Sequence, residues 1–474
     1  MRYFCPVKRK NKKITLENVT VESYAAEGKS IARVDGKAVF IENAVPGDVV
    51  DVFLYKNKKD WAEGVATQYH HYSADRIPPF CSHFGVCGGC QWQMLSYEKQ
   101  LAYKQQQVAD QLKRIGKVVL PPVNTIIGAE QVQHYRNKLE YTFGNKRFLL
   151  PEEIKNEAIS STADVAGFHA KGVFDKVVDI DRCYLQAEPT NAIRQWVKAF
   201  GIRNGFSFYD IKQHQGLLRT MQLRICTTGE VMVNIIFGED DAPKIELLLG
   251  ALLTAFPAIT TLLYTINTKH NDSLYDLHPQ VYYGKGYVIE KLEDFQFKIG
   301  PKSFFQTNTY QAEKLYQVTR DFAQLTGKEI VYDLYCGTGS IGLFVSKQAG
   351  KIIGVETIKE AIEDAGENAA LNNIGKATFF AGDVINICTD DFFVAHGKPD
   401  VVITDPPRAG MHEKLINKLL EIEAPRIVYV SCNVATQARD LQLLDAKYTV
   451  EQLQPVDMFP HTHHIENVAA LRLR

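Results

Sequence analysis

The carboxyl-terminal third of the chain alternates short apolar runs with helical patterns, and this alternation constrains the fold more than any other feature. The apolar runs that indicate buried strands are "EIVYDLYC", "KIIGVE", "ATFFAGD", "DVVITDPP" and "RIVYVSC". Strands that alternate with crossover helices form a parallel, doubly wound sheet. The last two runs, "YTVEQLQPVDMFP" and "IENVAALRLR", have no helix between them. We therefore expect them to pair as a hairpin and to close the sheet with one antiparallel strand.

The rest of the chain lacks this regular alternation, and we divide it into two further units. Short β-type runs separated by turn residues predict a small OB-like β-barrel within residues 1–72. Residues 73–300 predict a central α+β domain that includes a long helix from about residue 95 to 115, and residues 301–474 contain the doubly wound sheet. With 474 residues, of which 45% are apolar, the chain is long enough for three hydrophobic cores.

Charge and hydropathy exclude several classes of protein. No stretch approaches the eighteen or more apolar residues of a membrane span, and no apolar region follows "MRYFCPVKRKNKK", so we expect a cytoplasmic protein, most simply a monomer. The net charge is −1, so any surface for nucleic acid must be local. The strongest basic run is an RNA-binding arm or a solvated tail, and consists of Lys8, Arg9, Lys10, Lys12 and Lys13.

Two cofactors are compatible with the turn after the first strand of the doubly wound sheet. Its glycines, Gly337, Gly339 and Gly342, fit the dinucleotide pattern G-x-G-x-x-G, and Glu356 ends the second strand where it could hold ribose hydroxyls. NAD and an oxidoreductase are therefore one alternative. However, Asp333 at the tip of the first strand could hold the ammonium group of an amino acid. This favours S-adenosylmethionine and a class I methyltransferase (Rossmann-like) domain, whose sheet also ends in one antiparallel strand.

Three reactive side chains are expected at one edge of this sheet. Cys432 lies where a strand runs into a helix, Asp405 ends another strand before two prolines, and Glu466 begins the last strand. A thiol near a helix amino terminus feels a positive partial charge that favours the thiolate. Each residue alone is more often structural, the cysteine as a buried apolar group and the aspartate as a helix cap. Their convergence indicates a catalytic site.

The motifs "DLYCGTGSIGL", "DPPRAG", "VYVSCNVATQARDL" and "HTHHIENVAAL" resemble those of the RNA uracil-C5 methyltransferases. In addition, "CSHFGVCGGCQWQ" resembles the iron-sulfur motif of the branch that modifies 23S rRNA, and residues 14–68 are similar to its TRAM RNA-binding domain. The resemblance covers nearly the whole chain, although residues 190–295 contribute little. It implies an S-adenosylmethionine-dependent 23S rRNA (uracil-C5)-methyltransferase.

The resemblance also implies a role for individual residues. Cys432 would add to uracil C6, Glu466 would remove the C5 proton, and Asp405 would face the uracil N3/O4 edge and the methyl donor. Phe304 could stack on a flipped-out base, although a place in the core is an equally good interpretation. Ser340 stands where a relative has Asn. The positions expected to contact S-adenosylmethionine are Gln306, Asp333, Tyr335, Gly337, Gly339, Ser340, Glu356, Asp383 and Asp405.

Four cysteines are candidate metal ligands. Cys81, Cys87 and Cys90 are closely spaced, and the family pattern implies Cys183 as the fourth thiolate of a 4Fe-4S cluster. Zinc is the alternative, but the five-residue gap between the first two cysteines is longer than that of common zinc knuckles. Because methyl transfer contains no redox step, we expect the cluster to be structural.

Several functions remain open at this point. The cysteine motif and the barrel favour 23S rRNA, but tRNA uracil-C5 methyltransferases share the catalytic motifs, and an enzyme with two rRNA sites is also compatible with the sequence. A non-catalytic RNA-binding protein is the alternative from another class, and it predicts no methyl transfer to any RNA.

Overall fold

The computed structural model describes residues 14–25, 28–156 and 158–474. The basic run from Lys8 to Lys13, predicted as an arm or tail, lies outside the described residues. Within the described residues, no helix is both long enough and apolar enough to span a membrane.

The amino-terminal unit is the β-structure that the short runs predict. Its strands pair in the order β1-β5-β6-β4-β3-β2 around a core that includes Val39, Ile41, Val50 and Val52. Alternate residues of β5 point inward because side chains of a strand alternate between its two faces. The strands are β1 (Ile14–Thr20), β2 (Ser23–Tyr24), β3 (Ser30–Val34), β4 (Lys37–Glu42), β5 (Val49–Asn57) and β6 (Trp61–His71).

The long helix predicted from about residue 95 to 115 is α1 (Tyr97–Gln111), which continues in a π-helical turn, Leu112–Gly116. Ser96 caps its amino end by accepting a hydrogen bond from the Lys99 N–H group. Its apolar residues, including Val108, pack in the same core as the helices of the doubly wound domain. The sequence assigns this helix to the central domain, whereas the structure packs it against the carboxyl-terminal one.

The central domain is a seven-stranded sheet in the order β13-β12-β11-β10-β7-β8-β9, with α3 and α4 contributing to its core. The hairpin β14-β15 follows this sheet but packs its buried Val288 and Phe297 in the core of the carboxyl-terminal domain. The elements are β7 (Lys138–Lys146), α2 (Pro151–Ile154), β8 (Thr162–His169), β9 (Val177–Asp179), α3 (Thr190–Arg203), β10 (Leu218–Ile225), β11 (Val231–Phe237), α4 (Ala242–Ala255), β12 (Thr261–Ile266), β13 (Gln280–Tyr283), β14 (Val288–Leu292) and β15 (Phe295–Ile299).

The carboxyl-terminal domain has the predicted doubly wound sheet, in the order β18-β17-β16-β19-β20-β22-β21. The final hairpin is folded so that β22 inserts antiparallel between β20 and β21. The elements are α5 (Thr309–Ala323), β16 (Ile330–Leu334), α6 (Ser340–Val345), β17 (Lys351–Glu356), α7 (Lys359–Leu371), β18 (Ala377–Ala381), α8 (Val384–Ile387), α9 (Asp390–His396), β19 (Val401–Thr404), α10 (Glu413–Ile422), β20 (Arg426–Ser431), α11 (Val434–Leu444), β21 (Tyr448–Val456) and β22 (Glu466–Leu473).

Candidate active site

The predicted site residues lie at the carboxyl edge of the parallel strands. Leu334, Thr404 and Tyr429 occupy one row across β16, β19 and β20. Asp405 comes directly after Thr404, the last residue of β19, and its N–H group donates to the Leu334 carbonyl at 3.4 Å. The order of the strands reverses between β16 and β19, and doubly wound sheets bind their ligands in the crevice at such a reversal.

The insertion of β22 brings Cys432 and Glu466 together. Ser431 pairs with Asn467, so the next residue of β20, Cys432, lies beside Glu466 on the antiparallel neighbour. The loop after Cys432 is held by Asn433, whose side chain caps α11 through the Ala435 N–H group. Cys432 is half-buried and Glu466 is only 6% exposed. Strand pairing therefore juxtaposes a thiol and a carboxyl group from distant parts of the chain.

The thiol of Cys432 is more basic than the sequence suggests. Burial, followed by the charges of the nearby Glu466 and Asp405 carboxylates, raises its pKa from 9.0 to about 11, even though Arg408 lowers it. In the protein alone, the pKa of Cys432 is therefore raised, although the helix amino terminus is expected to favour the thiolate. Removal from water and two negative neighbours outweigh the partial charge of the helix end.

The two carboxyl groups beside Cys432 hold protons more tightly than usual. Burial raises the pKa of Asp405 to about 7. Burial and the Asp405 charge also raise the pKa of Glu466 well above its ordinary value, and Arg408 opposes this rise. Because two close carboxylates repel each other in a site with little water, the pair can retain a proton near neutral pH. Such a pair can both accept and donate protons.

Asp333 is buried at the tip of β16 next to the glycine turn. Its Oδ2 accepts a 2.8 Å hydrogen bond from the Gly342 N–H group, whereas its Oδ1 is buried without a partner among the described residues. Gly337 and Gly339 adopt left-handed backbone angles, with φ of 53° and 77°, which glycine tolerates best. Burial is the main reason that the pKa of Asp333 rises to about 7. The unpaired oxygen is therefore available to a cationic ligand group.

The other predicted cofactor residues surround this turn. Glu356 accepts a hydrogen bond from the Gly337 N–H group at 3.2 Å. Tyr335 is half-buried, and its pKa is raised by burial and by the charges of Asp383, Asp440 and Glu356. Asp383 caps α8 through the Ile385 N–H group, so its carboxylate has a structural role already. Gln306 is 9% exposed at the domain junction, where its backbone carbonyl accepts a hydrogen bond from the side-chain amide of Asn137.

Sequence reasoning did not single out two residues of the site. Tyr316 on α5 is buried, hydrogen-bonded to Ser340 at 2.9 Å, and close enough to Asp405, Asp333 and Glu466 that their charges add to the rise that burial causes in its pKa. Arg408 is exposed and donates to His464 Nδ1 at 3.4 Å. Tyr316 could have been found from the helical periodicity of α5, which places it on the face that packs against the sheet.

Phe304, predicted either to stack on a base or to pack in the core, is 69% exposed. Its neighbour Phe305 is buried at 4% exposure and packs against Phe297. The core interpretation is therefore wrong for Phe304. An exposed aromatic ring near Gln306 remains available for stacking.

The four predicted metal ligands line one cavity of about 360 Å³, together with His83 and Arg136. Burial is the main reason that the pKa of Cys90 rises to about 12, and charges on Cys183, Cys87 and Cys81 contribute to this rise. Among the residues that the structure describes, no group of three or more His, Cys, Asp or Glu side chains is arranged to hold a metal ion. The iron-sulfur assignment thus stays a prediction.

Two family models match the chain. The model described as tRNA (Uracil-5-)-methyltransferase matches residues 278–473, and the TRAM domain model matches residues 15–67. The chain is 51% identical to an uncharacterized RNA methyltransferase of Bacteroides thetaiotaomicron, over 95% of this chain and 100% of that protein. It is 49% identical to another from Porphyromonas gingivalis, over 95% of this chain and 98% of that protein.

A solved structure has the same architecture over almost the full length. It is the Pyrococcus abyssi tRNA (uracil-54, C5)-methyltransferase in complex with S-adenosyl-L-homocysteine, and it covers 96% of this chain and 100% of its own. The TM-score is 0.74 and the sequence identity is 28%. Together with the converging thiol and carboxyl groups, these matches show that the chain belongs to the RNA uracil-5-methyltransferase family and carries a TRAM domain.

Proposed function

We propose that the protein methylates C5 of a uridine in 23S rRNA through a covalent bond between Cys432 and uracil C6. The observation that carries this proposal is the pairing of β20 with β22, which places the Cys432 thiol beside the Glu466 carboxyl group, next to Asp405. A nucleophile and a base on one side of a pocket are what a two-step addition and elimination at adjacent carbons requires.

The chemistry follows from the weak nucleophilicity of uracil C5. The Cys432 thiolate adds to C6, and the electrons of the C5–C6 double bond move onto C5 and O4, so that C5 becomes nucleophilic. S-adenosylmethionine, when bound, would supply the electrophilic methyl group, to which C5 bonds as the bond between the methyl carbon and the sulfonium sulfur breaks. Glu466 then takes the proton from C5. The electron pair of the C5–H bond restores the double bond, and the C6–sulfur bond breaks to return the thiolate.

Asp405 can assist at the polar edge of the base. Because its pKa is about 7, the carboxyl group is present in both protonation states near neutral pH. The protonated form can donate a hydrogen bond to O4, where negative charge develops when Cys432 adds. The ionised form can accept a hydrogen bond from N3–H and so select uracil over cytosine, which lacks that proton.

Residues around the glycine turn fit the methyl donor. The unpaired, buried Oδ1 of Asp333 suits an ammonium group, and Glu356 at the end of β17 suits ribose hydroxyls. Tyr335 and Gln306 complete the contacts implied by the resemblance, together with Gly337, Gly339, Ser340, Asp383 and Asp405. The likeness to a Pyrococcus abyssi enzyme in complex with S-adenosyl-L-homocysteine supports the same donor here.

Cys81, Cys87, Cys90 and Cys183 would hold a 4Fe-4S cluster. The four cysteines line one cavity. The five-residue gap between Cys81 and Cys87 is longer than that of common zinc knuckles, which favours a cluster over zinc. The Gly89 N–H group also donates to the Cys87 sulfur at 3.4 Å, as amides do around cluster sulfurs.

The choice of 23S rRNA rests on the cysteine motif and the TRAM domain. A tRNA uridine is the second candidate, because the family model and the Pyrococcus abyssi neighbour both carry tRNA in their descriptions. Mapping 5-methyluridine in 23S rRNA and in tRNA from a deletion strain distinguishes them. Loss at one rRNA position supports the proposal, loss at two indicates a dual-site enzyme, and loss in tRNA alone refutes the rRNA assignment.

The covalent mechanism has its own test. Cys432→Ala should form no adduct with RNA, and Glu466→Gln should accumulate a methylated protein–RNA adduct that survives denaturing electrophoresis, because elimination needs the base. RNA that contains 5-fluorouridine should trap the unmodified enzyme in the same way, since fluorine does not leave as a proton does. An adduct in Cys432→Ala, or normal turnover by Glu466→Gln, would show that other groups perform these steps.

A further inference from the structure

The segment that leads into Glu466 is held by parts of the chain far away in sequence. Residues 457–465, here called the base loop, connect β21 to β22 and end at Glu466. Asp457 and Met458 are fully buried, and His461 and Thr462 are at most 5% exposed. The base loop therefore cannot rely on water for its hydrogen bonds, and its position depends on the protein groups that supply them.

The first residue of the base loop, Asp457, is bound by helix α1. Lys104 Nζ donates to Asp457 Oδ1 at 2.6 Å and to the Phe459 carbonyl at 3.2 Å, and both charged side chains are fully buried. The Tyr97 hydroxyl donates to Asp457 Oδ2 at 2.9 Å. Within the base loop, the Phe459 N–H group also donates to Asp457 Oδ1 at 3.0 Å. One helix thus binds both the side chain and the backbone of this segment.

The middle of the base loop is bound by α1 and by the residues that follow the cysteine motif. Gln100 accepts from the His461 N–H group at 2.8 Å and bonds His461 Nδ1 at 3.1 Å. The N–H groups of Gln91 and Trp92 both donate to the His461 carbonyl, at 2.9 and 3.0 Å. These two residues come directly after Cys90. The cysteine motif is therefore in direct hydrogen-bond contact with the segment that precedes Glu466.

Two further contacts come from other parts of the chain. The Tyr135 hydroxyl donates to the Pro460 carbonyl at 3.0 Å. Gly28, near the start of β3, lies so close to the base loop that a Cβ atom there would be 2.8 Å from His463 Cβ. The base loop is therefore contacted by the barrel, by the cysteine segment and by α1, although β21 and β22 belong to the carboxyl-terminal domain.

We propose that Tyr97, Gln100 and Lys104 of α1, together with Gln91 and Trp92, are positioning residues for the catalytic base, acting through Asp457 and His461 of the base loop. This inference rests on the proposed role of Glu466. Val456, the last residue of β21, pairs with Glu466, the first residue of β22, so both ends of the base loop lie at the same point of the sheet. A shift of the base loop is therefore passed directly to Glu466.

The proposal predicts a defect in one step of the cycle rather than a general loss. Cys432 comes directly after β20 and is not part of the base loop, so its addition to C6 should persist when the base loop is released. Proton removal by Glu466 should slow, because a displacement of about 1 Å can cost about 100-fold in rate. The methylated adduct should then accumulate, as it does when the base itself is replaced.

The central variant is the double substitution Lys104→Met and Asp457→Asn. It removes both charges together, so no unpaired charge is left in the core, and the asparagine oxygen can still accept from Phe459 N–H. Tyr97→Phe is a milder second variant, which removes the hydroxyl that donates to Asp457 Oδ2 and accepts from the Ala129 N–H group. Tyr141→Phe is the matched control, since Tyr141 is a buried tyrosine that bonds Thr190 in the central domain.

Each variant is compared with the unmodified protein and Glu466→Gln by thermal unfolding, iron content, kcat and KM for RNA, and the fraction of protein in a methylated RNA adduct. We expect the double variant to lower kcat about 100-fold and KM for RNA along with it, to leave kcat/KM and iron content nearly unchanged, and to accumulate adduct. Tyr97→Phe should show the same pattern more weakly. Tyr141→Phe, the control, should leave kcat and the adduct fraction unchanged.

Three outcomes separate the alternatives. Folded variants that turn over normally, or that lose RNA binding and adduct formation together, overturn the positioning role. If the double variant does not fold, the same two criteria apply to Tyr97→Phe. If Glu466→Gln itself forms no adduct, the proposed function of Glu466 fails, and this result is recognisable without any of the base-loop variants.

Discussion

Replacing Glu466 by glutamine should make Cys432 more reactive while it stops the catalytic cycle. Burial raises the pKa of the Cys432 thiol from 9.0 to about 11, and the Glu466 charge is the next largest cause of the rise. Glutamine has nearly the same shape as glutamate but no charge, so burial stays and one negative neighbour is lost. We expect the pKa of Cys432 to fall by about one unit, because only the part of the rise that the Glu466 charge causes is lost.

The size of the effect on reactivity follows from two opposing factors. Well below its pKa, a thiol that loses about one pKa unit has about ten times more thiolate. The thiolate also becomes about threefold less nucleophilic, because nucleophilicity falls with basicity at a Brønsted slope of about 0.4–0.5. The rate of alkylation by iodoacetamide should therefore rise about three- to fourfold in Glu466→Gln, at a pH that ionises Glu466 in the unmodified protein but still lies below the pKa of Cys432.

The assay is the pH profile of iodoacetamide alkylation at Cys432, measured from about pH 8 to about pH 12.5 so that the midpoint lies within the range, by mass spectrometry of the peptide, without RNA. Arg408→Ala should shift the midpoint upward, since Arg408 lowers the pKa of this thiol. Glu451→Gln is the matched control, because Glu451 on β21 pairs with Arg426 and Arg472 outside the site. A midpoint for Glu466→Gln that is unchanged or higher would refute the electrostatic coupling.

Four other predictions test the remaining assignments. Asp333→Asn should weaken binding of S-adenosylhomocysteine in calorimetry, because the free Oδ1 would lose its charge toward the ammonium group. Phe304→Ala should weaken RNA binding by about 1–3 kcal/mol, the usual contribution of one stacked base, and should leave the melting temperature unchanged. If the variant binds RNA as tightly as the unmodified protein, Phe304 does not stack on a base. Deletion of residues 1–72 should raise KM for RNA more than it lowers kcat, and the difference should shrink at high salt. Anaerobically purified protein should be brown and contain iron, which should be lost in four single serine variants and kept in two controls; stoichiometric zinc would contradict the cluster. The four variants replace Cys81, Cys87, Cys90 and Cys183, and the controls replace Cys226 and Cys388.

Much of the catalytic edge could be predicted from the sequence because its signals are local. Apolar runs of strand length and helical periodicity indicate β16, β19 and β20, and the polar residues that follow them must lie where parallel strands end. The amino-acid sequence alone therefore predicts that Asp333, Asp405 and Cys432 lie at one edge. The glycine pattern is equally informative, because left-handed backbone angles favour glycine in any sequence context.

Other parts of the fold could not be predicted in this way. The hairpin β14-β15 lies within residues 73–300, which the sequence assigns to the central domain, but the structure packs it in the core of the carboxyl-terminal domain. Helix α1 shows the same difference. An apolar stripe indicates that an element must be covered, whereas its partner is chosen by the shape and packing of the whole molecule.

The sequence by itself determined the doubly wound sheet, the glycine turn and the presence of reactive groups at one edge, because conformational preference and periodicity act over a few residues. Only the tertiary structure decided that β22 lies beside β20, that this neighbourhood raises the pKa of Cys432, and that Lys104 binds Asp457 across 353 residues of chain. Pairing between distant segments, and the loss of water around them, arise from packing of the complete chain, and no local pattern encodes them.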